Sequence, residues 1–479
     1  MTKIILNGRE VEVDPQRPLI DACQMSGVEV PHYCYHEGLS VQGSCRICQV
    51  EVKEGDRPAR VVASCRQPVS EGMVVNTDSE AARATRKNCL EFLLKDHPLD
   101  CPICDKAGEC TLQDYTYEEG QDQGISKEPR QNFEKRKSLG DVVLLDQERC
   151  ILCTRCVRFF EEVTGKAQLT VAGLGSRSRI ETFADRPLTG NYQGNIVDIC
   201  PVGALTSKQF RFKARVWNLF KKASTCGECS RGCSTSVEVL RKGEVLRIRP
   251  RYNAEVNRWW MCDSGRFALE DANPADRVPA QVRGQQGLEI VDVEDALEVV
   301  RSGHTALSKH LLVVSPWVTI EEGAELLTLA KNLGTEPIFL SPTANALKDD
   351  FLHTGDPCPN RRGLEELGFV GKTAEEVASL LAQAETATLF GERIASLVGH
   401  EALSALGSQV RLYLFDVESP AVPALRVSVE IANWTERPGT WVNVDGKRGK
   451  IAAARTAPSG IRQPLSLLRE LLQLEGAAQ

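Results

Sequence analysis

The sequence predicts an α+β multidomain chain whose two parts do different work. Three observations carry this. All of its 18 cysteines except Cys358 lie between Cys23 and Cys262 of 479 residues. The N-terminal region is rich in short strand patterns broken by Gly and Asn. After residue 270, apolar strand-like runs alternate with helical stretches, the pattern of an α/β layer with a parallel sheet. The length suits two to four domains. A net charge of −7 argues against general nucleic-acid binding. No stretch of about 18 apolar residues is present, so no transmembrane helix is expected. The start, MTKIILNGRE, has no apolar signal region, so a cytoplasmic location is expected.

The elements follow in order. KIIL and EVEV flank Asn7-Gly8, a two-residue hairpin signal. PLIDACQMSG reads as a short helix ending at Gly27, and CQVEV and RVVAS as a second strand pair. Thr77 and Glu80 form a capping-box pattern, which opens a helix running to Lys95 or Asp96 before Pro98. Residues 118–140 are polar and read as a linker. Beyond residue 270, HLLVVSP, EPIFLSP and VRLYLFDV read as buried strands. EEGAELLTLAKNLG and TAEEVASLLAQA read as the helices between them.

Clustered cysteines in a reducing compartment read as metal ligands rather than disulfides. They fall into four groups. The first is Cys34, Cys45, Cys48 and Cys65, in a β-rich frame like that of plant-type [2Fe–2S] ferredoxins. Its ten-residue gap between Cys34 and Cys45 departs from their C-x4-C-x2-C spacing. Gly38 and Gly43 would let the loop wrap closely. The second is Cys101, Cys104 and Cys110, with His97 either a fourth ligand or the end of the preceding helix. The third is Cys150, Cys153 and Cys156 with the distant Cys200 of DICPVGAL. C-x2-C-x2-C fits three corners of a [4Fe–4S] cubane better than a zinc tetrahedron, and Phe160 replaces the cysteine that would serve a second cluster. The fourth is Cys226, Cys229 and Cys233 with Cys262. Structural zinc is the competing reading for these groups.

Cys23 and Cys89 lie on apolar helix faces and read as small core residues. Arg46, Arg66, Arg149, Arg155 and Arg158 adjoin ligand candidates and could offset cluster charge; the plain alternative is surface arginine. SKQFRFKARVWNLFKK reads either as a docking face or as a solvated helix with an apolar side.

The motif order resembles the large iron–sulfur subunit of bacterial NADH:quinone oxidoreductase, respiratory complex I. The resemblance covers residues 1 to about 270. It continues more weakly in CPNRRGLEELGF and RPGTWVNVDGKRGKIAAARTAPSGIRQPLSLLREL, which look like fragments of that subunit's molybdopterin-oxidoreductase-type domain. The resemblance implies a β-grasp [2Fe–2S] ferredoxin-like domain (1–80), a His/Cys3 [4Fe–4S] segment and linker (81–138) and a [4Fe–4S] ferredoxin-like domain (139–218). A [4Fe–4S] domain of molybdopterin-oxidoreductase type (219–275) and a truncated α/β scaffold (276–479) follow. It implies one [2Fe–2S] cluster on Cys34, Cys45, Cys48 and Cys65. It implies three [4Fe–4S] clusters, on His97/Cys101/Cys104/Cys110, on Cys150/Cys153/Cys156/Cys200 and on Cys226/Cys229/Cys233/Cys262.

The tail is shorter than in working molybdopterin enzymes, so no molybdenum cofactor is expected. No G-x-G-x-x-G follows a strand pattern, so NADH and flavin are expected on a partner. The implied role is electron transfer from a partner's flavin towards quinone, coupled in the complex to proton translocation. The implied setting is a hetero-oligomeric peripheral arm on the cytoplasmic side of the bacterial inner membrane, touching the membrane only through the complex. The competing functions are an electron-transfer subunit of an NAD-linked hydrogenase or formate dehydrogenase, and a zinc-stabilised assembly protein.

Overall fold

The computed structural model describes residues 1–304 and 309–476. The chain divides after Asn218 into two compact units.

The first unit opens with β1 (Thr2–Leu6) and β2 (Arg9–Val13), paired antiparallel. Asn7 and Gly8 both take positive φ, 49° and 80°, which a two-residue hairpin of this hand requires. β3 (Gln49–Lys53), β4 (Arg60–Ala63) and β5 (Val74–Asn76) complete a five-stranded sheet in the order β2-β1-β5-β3-β4. Only β1 and β5 within it run parallel. The helix Leu19–Met25 supplies Leu19, Ile20 and Cys23 to the core beneath the sheet, as expected for Cys23.

The next helix, Glu80–Leu94, starts differently from expectation. Its cap is Ser79, whose hydroxyl accepts from Ala82 N at 3.2 Å. Thr77 cannot serve, because it is bound by Asn7 through both its hydroxyl, at 2.8 Å, and its N–H, at 2.9 Å. Arg86, 2% exposed, fastens this helix: it donates to the carbonyls of Gln49 and Thr77 and pairs with Glu119 at the end of helix Thr111–Glu119. Residues 120–136 form no regular element, and the short strands β6 (Lys137–Ser138), β7 (Val143–Leu145), β8 (Leu169–Ala172) and β9 (Arg179–Thr182) follow. β10 (Leu205–Ser207) pairs with β7.

The stretch 207–222 is not a helix. It is turns, one short 3-10 segment and the start of the next strand. Its backbone is pinned instead. The Asp105 carboxylate accepts from Phe212 N at 3.0 Å, and Arg215 donates to the carbonyl of Cys104 at 2.7 Å.

The second unit opens with an antiparallel sheet of β11 (Leu219–Thr225), β12 (Ser234–Leu240) and β13 (Val245–Pro250). An eight-stranded sheet then uses β14 (Ala280–Arg283), β15 (Leu288–Ile290), β16 (His310–Val314), β17 (Ile338–Leu340), β18 (Val370–Lys372), β19 (Thr386–Phe390), β20 (Arg411–Asp416) and β21 (Leu425–Glu430). The order is β15-β14-β21-β20-β19-β16-β17-β18, parallel from β21 to β18 and antiparallel at β14 and β15. The strand order reverses between β16 and β19, so the crevice of this doubly wound sheet lies past their C-terminal ends.

The expected helices occur as Ile320–Asn332 and Ala374–Gln383, each opened by a complete capping box, at Thr319/Glu322 and Thr373/Glu376. A final hairpin, β22 (Gly439–Val442) and β23 (Arg448–Ile451), precedes the closing helix Pro464–Gly476. Arg437, 1% exposed, holds this end to the sheet through Glu322 at 2.6 Å and the carbonyl of Trp317 at 3.1 Å. Among the described residues no helix is long and apolar enough to cross a membrane.

Candidate iron–sulfur sites

The first cysteine group sits in the loop between helix Leu19–Met25 and β3, with Cys65 just past β4. The thiols come together in two pairs. Cys45 donates to Cys34 and Cys65 donates to Cys48, which holds each acceptor below the usual thiol range and pushes each donor up. Two thiols per side is what a rhomb with two irons needs. The loop is tight: Gly43 has φ +69°, and a Cβ there would meet Arg66 Cγ at 3.1 Å. Cys89 is not a core residue of the kind its pattern suggested. Phe92 on the same face is 82% exposed, and the Cys89 thiol donates to the carbonyl of Arg46, a loop residue with φ +58°.

In the second group the structure brings His97, Cys101 and Cys110 to the wall of one cavity, while Cys104 Sγ lies against Gly203. Helix Glu80–Leu94 ends three residues before His97, and Cys110 stands at the N-cap position of helix Thr111–Glu119 without a side-chain capping bond, the Leu112 and Gln113 N–H groups nearby favouring its thiolate against burial. His97 Nδ1 is buried and has no partner among the described residues. Burial, helped by the Arg149 cation, pushes the His97 ring down to about 4. At neutral pH the imidazole is therefore neutral, with a lone pair free for a metal.

The third group is the most compact. Cys150, Cys153, Cys156 and Cys200 all line one cavity, closed by Leu145, Ile180 and Val202. Leu152 and Thr154 adopt left-handed φ of 52° and 57°, a conformation costly for such residues. The twist turns the Leu152 N–H onto Cys150 Sγ, 3.4 Å away, and the Arg155 N–H onto Cys153. Burial raises Cys150, Cys153 and Cys156, Cys153 to about 11, so metal uptake here must release protons.

The fourth group lies in the second unit, and all four of its thiols are buried. A Cβ on Gly265 would lie 2.6 Å from Cys226 Sγ and 3.8 Å from Cys262 Sγ, so both sulfurs converge on that backbone. Cys262 accepts the N–H of Gly265 and Cys229 that of Arg231. Among the described residues no three His, Cys, Asp or Glu side chains converge as they would on a single ion. A cubane binds each thiolate to a different iron, so its ligands stand further apart than those of zinc.

The cations divide. Arg149 is already paired, with Asp100 at 2.8 Å and Asp146 at 3.3 Å. Arg155 and Arg158, 9% and 5% exposed, have no carboxylate within ion-pair distance among the described residues. Arg155 donates to the carbonyls of Ile199 and Tyr35. Arg158 donates to those of Ser40, of Cys34 at 2.6 Å and of Cys153 at 3.2 Å. Buried unpaired cations are costly, and anionic clusters would balance them. These bonds tie the third group's loops to the first group's loop. On its other side the third group touches the second: Lys106 reaches the carbonyl of Val197 at 3.4 Å, and Thr111 that of Pro201 at 3.3 Å. No local pattern signals these long-range ties, nor the roles of Gly203 and Gly265.

Comparison with known proteins agrees with the order of sites. Residues 1–80 match a 2Fe-2S iron-sulfur cluster binding domain, and residues 86–124 the NADH-ubiquinone oxidoreductase-G iron-sulfur binding region. Residues 140–206 match the ferredoxin-like domain of NADH-quinone oxidoreductase subunit 3, and residues 221–274 the molybdopterin oxidoreductase Fe4S4 domain. The chain is 35% identical over 346 residues to the mitochondrial NADH-ubiquinone oxidoreductase 78 kDa subunit of Candida albicans, covering 70% of this chain and 47% of that protein. It is 35% identical over 337 residues to the G polypeptide of NADH-quinone oxidoreductase from Rickettsia felis, covering 70% and 50%. It is 40% identical over 300 residues to the mitochondrial NADH dehydrogenase [ubiquinone] iron-sulfur protein 1 of Solanum tuberosum, covering 62% and 40%. A crystal structure of an NAD+-reducing [NiFe]-hydrogenase aligns with a TM-score of 0.37 at 29% identity, over 45% of this chain and 91% of that one. The chain spans about half the length of the curated relatives it matches. With [2Fe–2S] and [4Fe–4S] domains in the family's order, the chain belongs to the family of large iron–sulfur subunits of NADH-quinone oxidoreductase.

Proposed function

We propose that this chain is the electron-transfer subunit of an NADH:quinone oxidoreductase, carrying electrons from a partner subunit's flavin towards quinone, with proton translocation coupled elsewhere in the complex. In this reading Cys34, Cys45, Cys48 and Cys65 hold a [2Fe–2S] cluster. The sets His97/Cys101/Cys104/Cys110, Cys150/Cys153/Cys156/Cys200 and Cys226/Cys229/Cys233/Cys262 hold [4Fe–4S] clusters, which supply one-electron storage when bound. The observation that carries it is the third group: four thiols on one apolar cavity, tied by the buried cations Arg155 and Arg158 to the first group. The third site touches both the first and the second, so we place it between those two on the path although it is third in sequence. Partners are the flavin-bearing subunit and the subunits leading to quinone, in a peripheral arm on the cytoplasmic side of the bacterial inner membrane.

Iron and acid-labile sulfide analysis with low-temperature EPR tests this. About 14 irons per chain are expected, with one binuclear and three tetranuclear signals. Zinc without sulfide would refute the redox reading. Gly203→Ala is a sharper check on the second site. Its Cβ would lie 2.1 Å from Cys104 Sγ, so the ligand must move. Cluster retention at this site should fall by roughly the 10–100-fold seen when a ligand loses its support. A full set of EPR signals in that variant would count against Cys104 as a ligand.

A further inference from the structure

The fourth cysteine group's own loop packs against the residues just past β16 and β19, at the edge of the crevice where a doubly wound sheet holds its ligand. Glu228 of that loop pairs with Arg393, just past β19, at 2.8 Å. The Arg393 guanidinium lies over the Trp317 ring, 4.7 Å from its centroid. Trp317 and Trp441 pack against Gly227, where a Cβ would lie 3.2 Å from Trp317 Nε1 and 2.9 Å from Trp441 Cη2. From the other side, Arg231 donates to the carbonyl of Leu352, and Ser230 N–H donates to that of Asp356 at 2.9 Å.

Two donors stand in this wall, Thr354 beside Cys229 and Trp317 beside Gly227, the residue after Cys226. Thr354 gives Cys229 both its backbone N–H and its hydroxyl. The hydroxyl oxygen accepts from Asp356 N at 3.3 Å and stands 2.9 Å from Ser230 Oγ; where Ser230 is the donor of that pair, the one Thr354 proton goes to the sulfur. The competing carbonyl of Asp356 stands 3.5 Å away, at the outer limit of a hydrogen bond. Trp317, 2% exposed, keeps its indole N–H at Gly227 with no acceptor among the described residues. A buried indole N–H normally finds a partner.

We propose that Thr354 and Trp317 are positioning residues of the α/β domain that hold the fourth cluster's reduction potential up by hydrogen bonding, Thr354 to the Cys229 thiolate and Trp317 to the cluster's sulfur. Reduction adds one electron and no proton, so the site becomes more negative, and donors that strengthen with negative charge favour the reduced form. The part of the α/β domain around Trp317, Thr354, Arg393 and Trp441 is then a wall that tunes and shields this cluster as well as a scaffold. This rests on the assignment of a cluster to Cys226, Cys229, Cys233 and Cys262.

The test uses Thr354→Val, Thr354→Ser and Trp317→Phe in the assembled complex, with the fourth cluster's EPR signal followed in a redox titration. Thr354→Val and Trp317→Phe should each shift the oxidised-to-reduced ratio about tenfold towards oxidised at a fixed ambient potential, about 59 mV for one electron. Thr354→Ser should stay near the unaltered value. An exchangeable proton coupling to the cluster should disappear in Thr354→Val. An unchanged midpoint in Thr354→Val and Trp317→Phe with the signal retained overturns the proposal. If Thr354→Val fails to keep the cluster, Trp317→Phe decides by the same criterion. Absence of the fourth signal from the unaltered complex would overturn the site assignment itself.

Discussion

Cys153→Ala in the assembled complex should abolish NADH-to-quinone electron flow and remove one [4Fe–4S] signal, while NADH oxidation by an artificial acceptor at the flavin persists. The effect is large because the pocket has no substitute ligand. Cys153 shares its cavity with three other thiols, and the rest of the wall is Leu145, Ile151, Ile180, Val202, Ala204 and Leu205 with Thr154 and Arg155. The apolar side chains cannot bind iron, the Arg155 cation repels it, and the Thr154 hydroxyl is a hard, neutral donor that does not replace a thiolate. The loop cannot slide to offer another donor either, since Leu152 and Thr154 are locked in left-handed backbone and Arg158 grips the carbonyl of Cys153. Loss of a mere supporter of a ligand costs about 10–100-fold in metal affinity, and loss of the ligand should cost more. Arg155 and Arg158 join this site to the first group's loop, so on the proposed reading loss of its cluster interrupts the path between the first and second sites. An assembled variant that reduces quinone at the unaltered rate would refute the wire role of this site. Loss of activity at the artificial acceptor as well would mean that the complex had not assembled.

The third cysteine group was legible as a group because its spacing is local, and the structure gathers Cys150, Cys153, Cys156 and Cys200 on one cavity. Three thiols within seven residues define most of a site before any fold is known, and Asn7-Gly8 or Thr319/Glu322 define a turn or a cap in the same way. What escaped is what depends on distant chain. Thr77 and Glu80 look like a capping box, but Asn7, seventy residues earlier, takes the Thr77 hydroxyl, and Ser79 becomes the cap. The basic aromatic stretch from Ser207 to Lys222 has helical composition, yet Asp105 and the carbonyl of Cys104 bind its backbone and side chains into turns. Cys89 shows the limit of reading a face: its neighbour Phe92 points to solvent, and the thiol serves the strained Arg46 carbonyl. The arginines were legible only as neighbours of ligands. Their difference, Arg149 paired with carboxylates and Arg155 and Arg158 bonded to carbonyls, depends on residues up to 124 positions away. Thr354 and Trp317 lie about a hundred residues from the cysteines they face, in a domain whose sequence suggested only support.

His97→Cys should keep the second cluster and lower its midpoint potential, whereas His97→Ala should lose it. Two roles compete for this residue. His97 follows the end of helix Glu80–Leu94, where an imidazole also suits the negative helix terminus. A cap of that kind would use a ring nitrogen on a terminal carbonyl or carry a positive charge. The structure gives neither: Nδ1 is buried without a partner among the described residues, and burial beside Arg149 keeps the ring neutral down to about pH 4. A neutral, desolvated ring with a free nitrogen on the same cavity as Cys101 and Cys110 is instead prepared to bind iron. Exchanging neutral imidazole for thiolate adds one negative charge to the site. By analogy with histidine-ligated Rieske centres, whose potentials exceed those of all-cysteine clusters, the potential should fall. Because reduction adds further negative charge, the sign does not depend on which iron the residue holds. The redox titration and EPR line shape of the second signal measure this directly. An unchanged midpoint and spectrum in His97→Cys, with the cluster retained in His97→Ala, would leave His97 as the end of a helix and send the search for the fourth ligand elsewhere around that cavity.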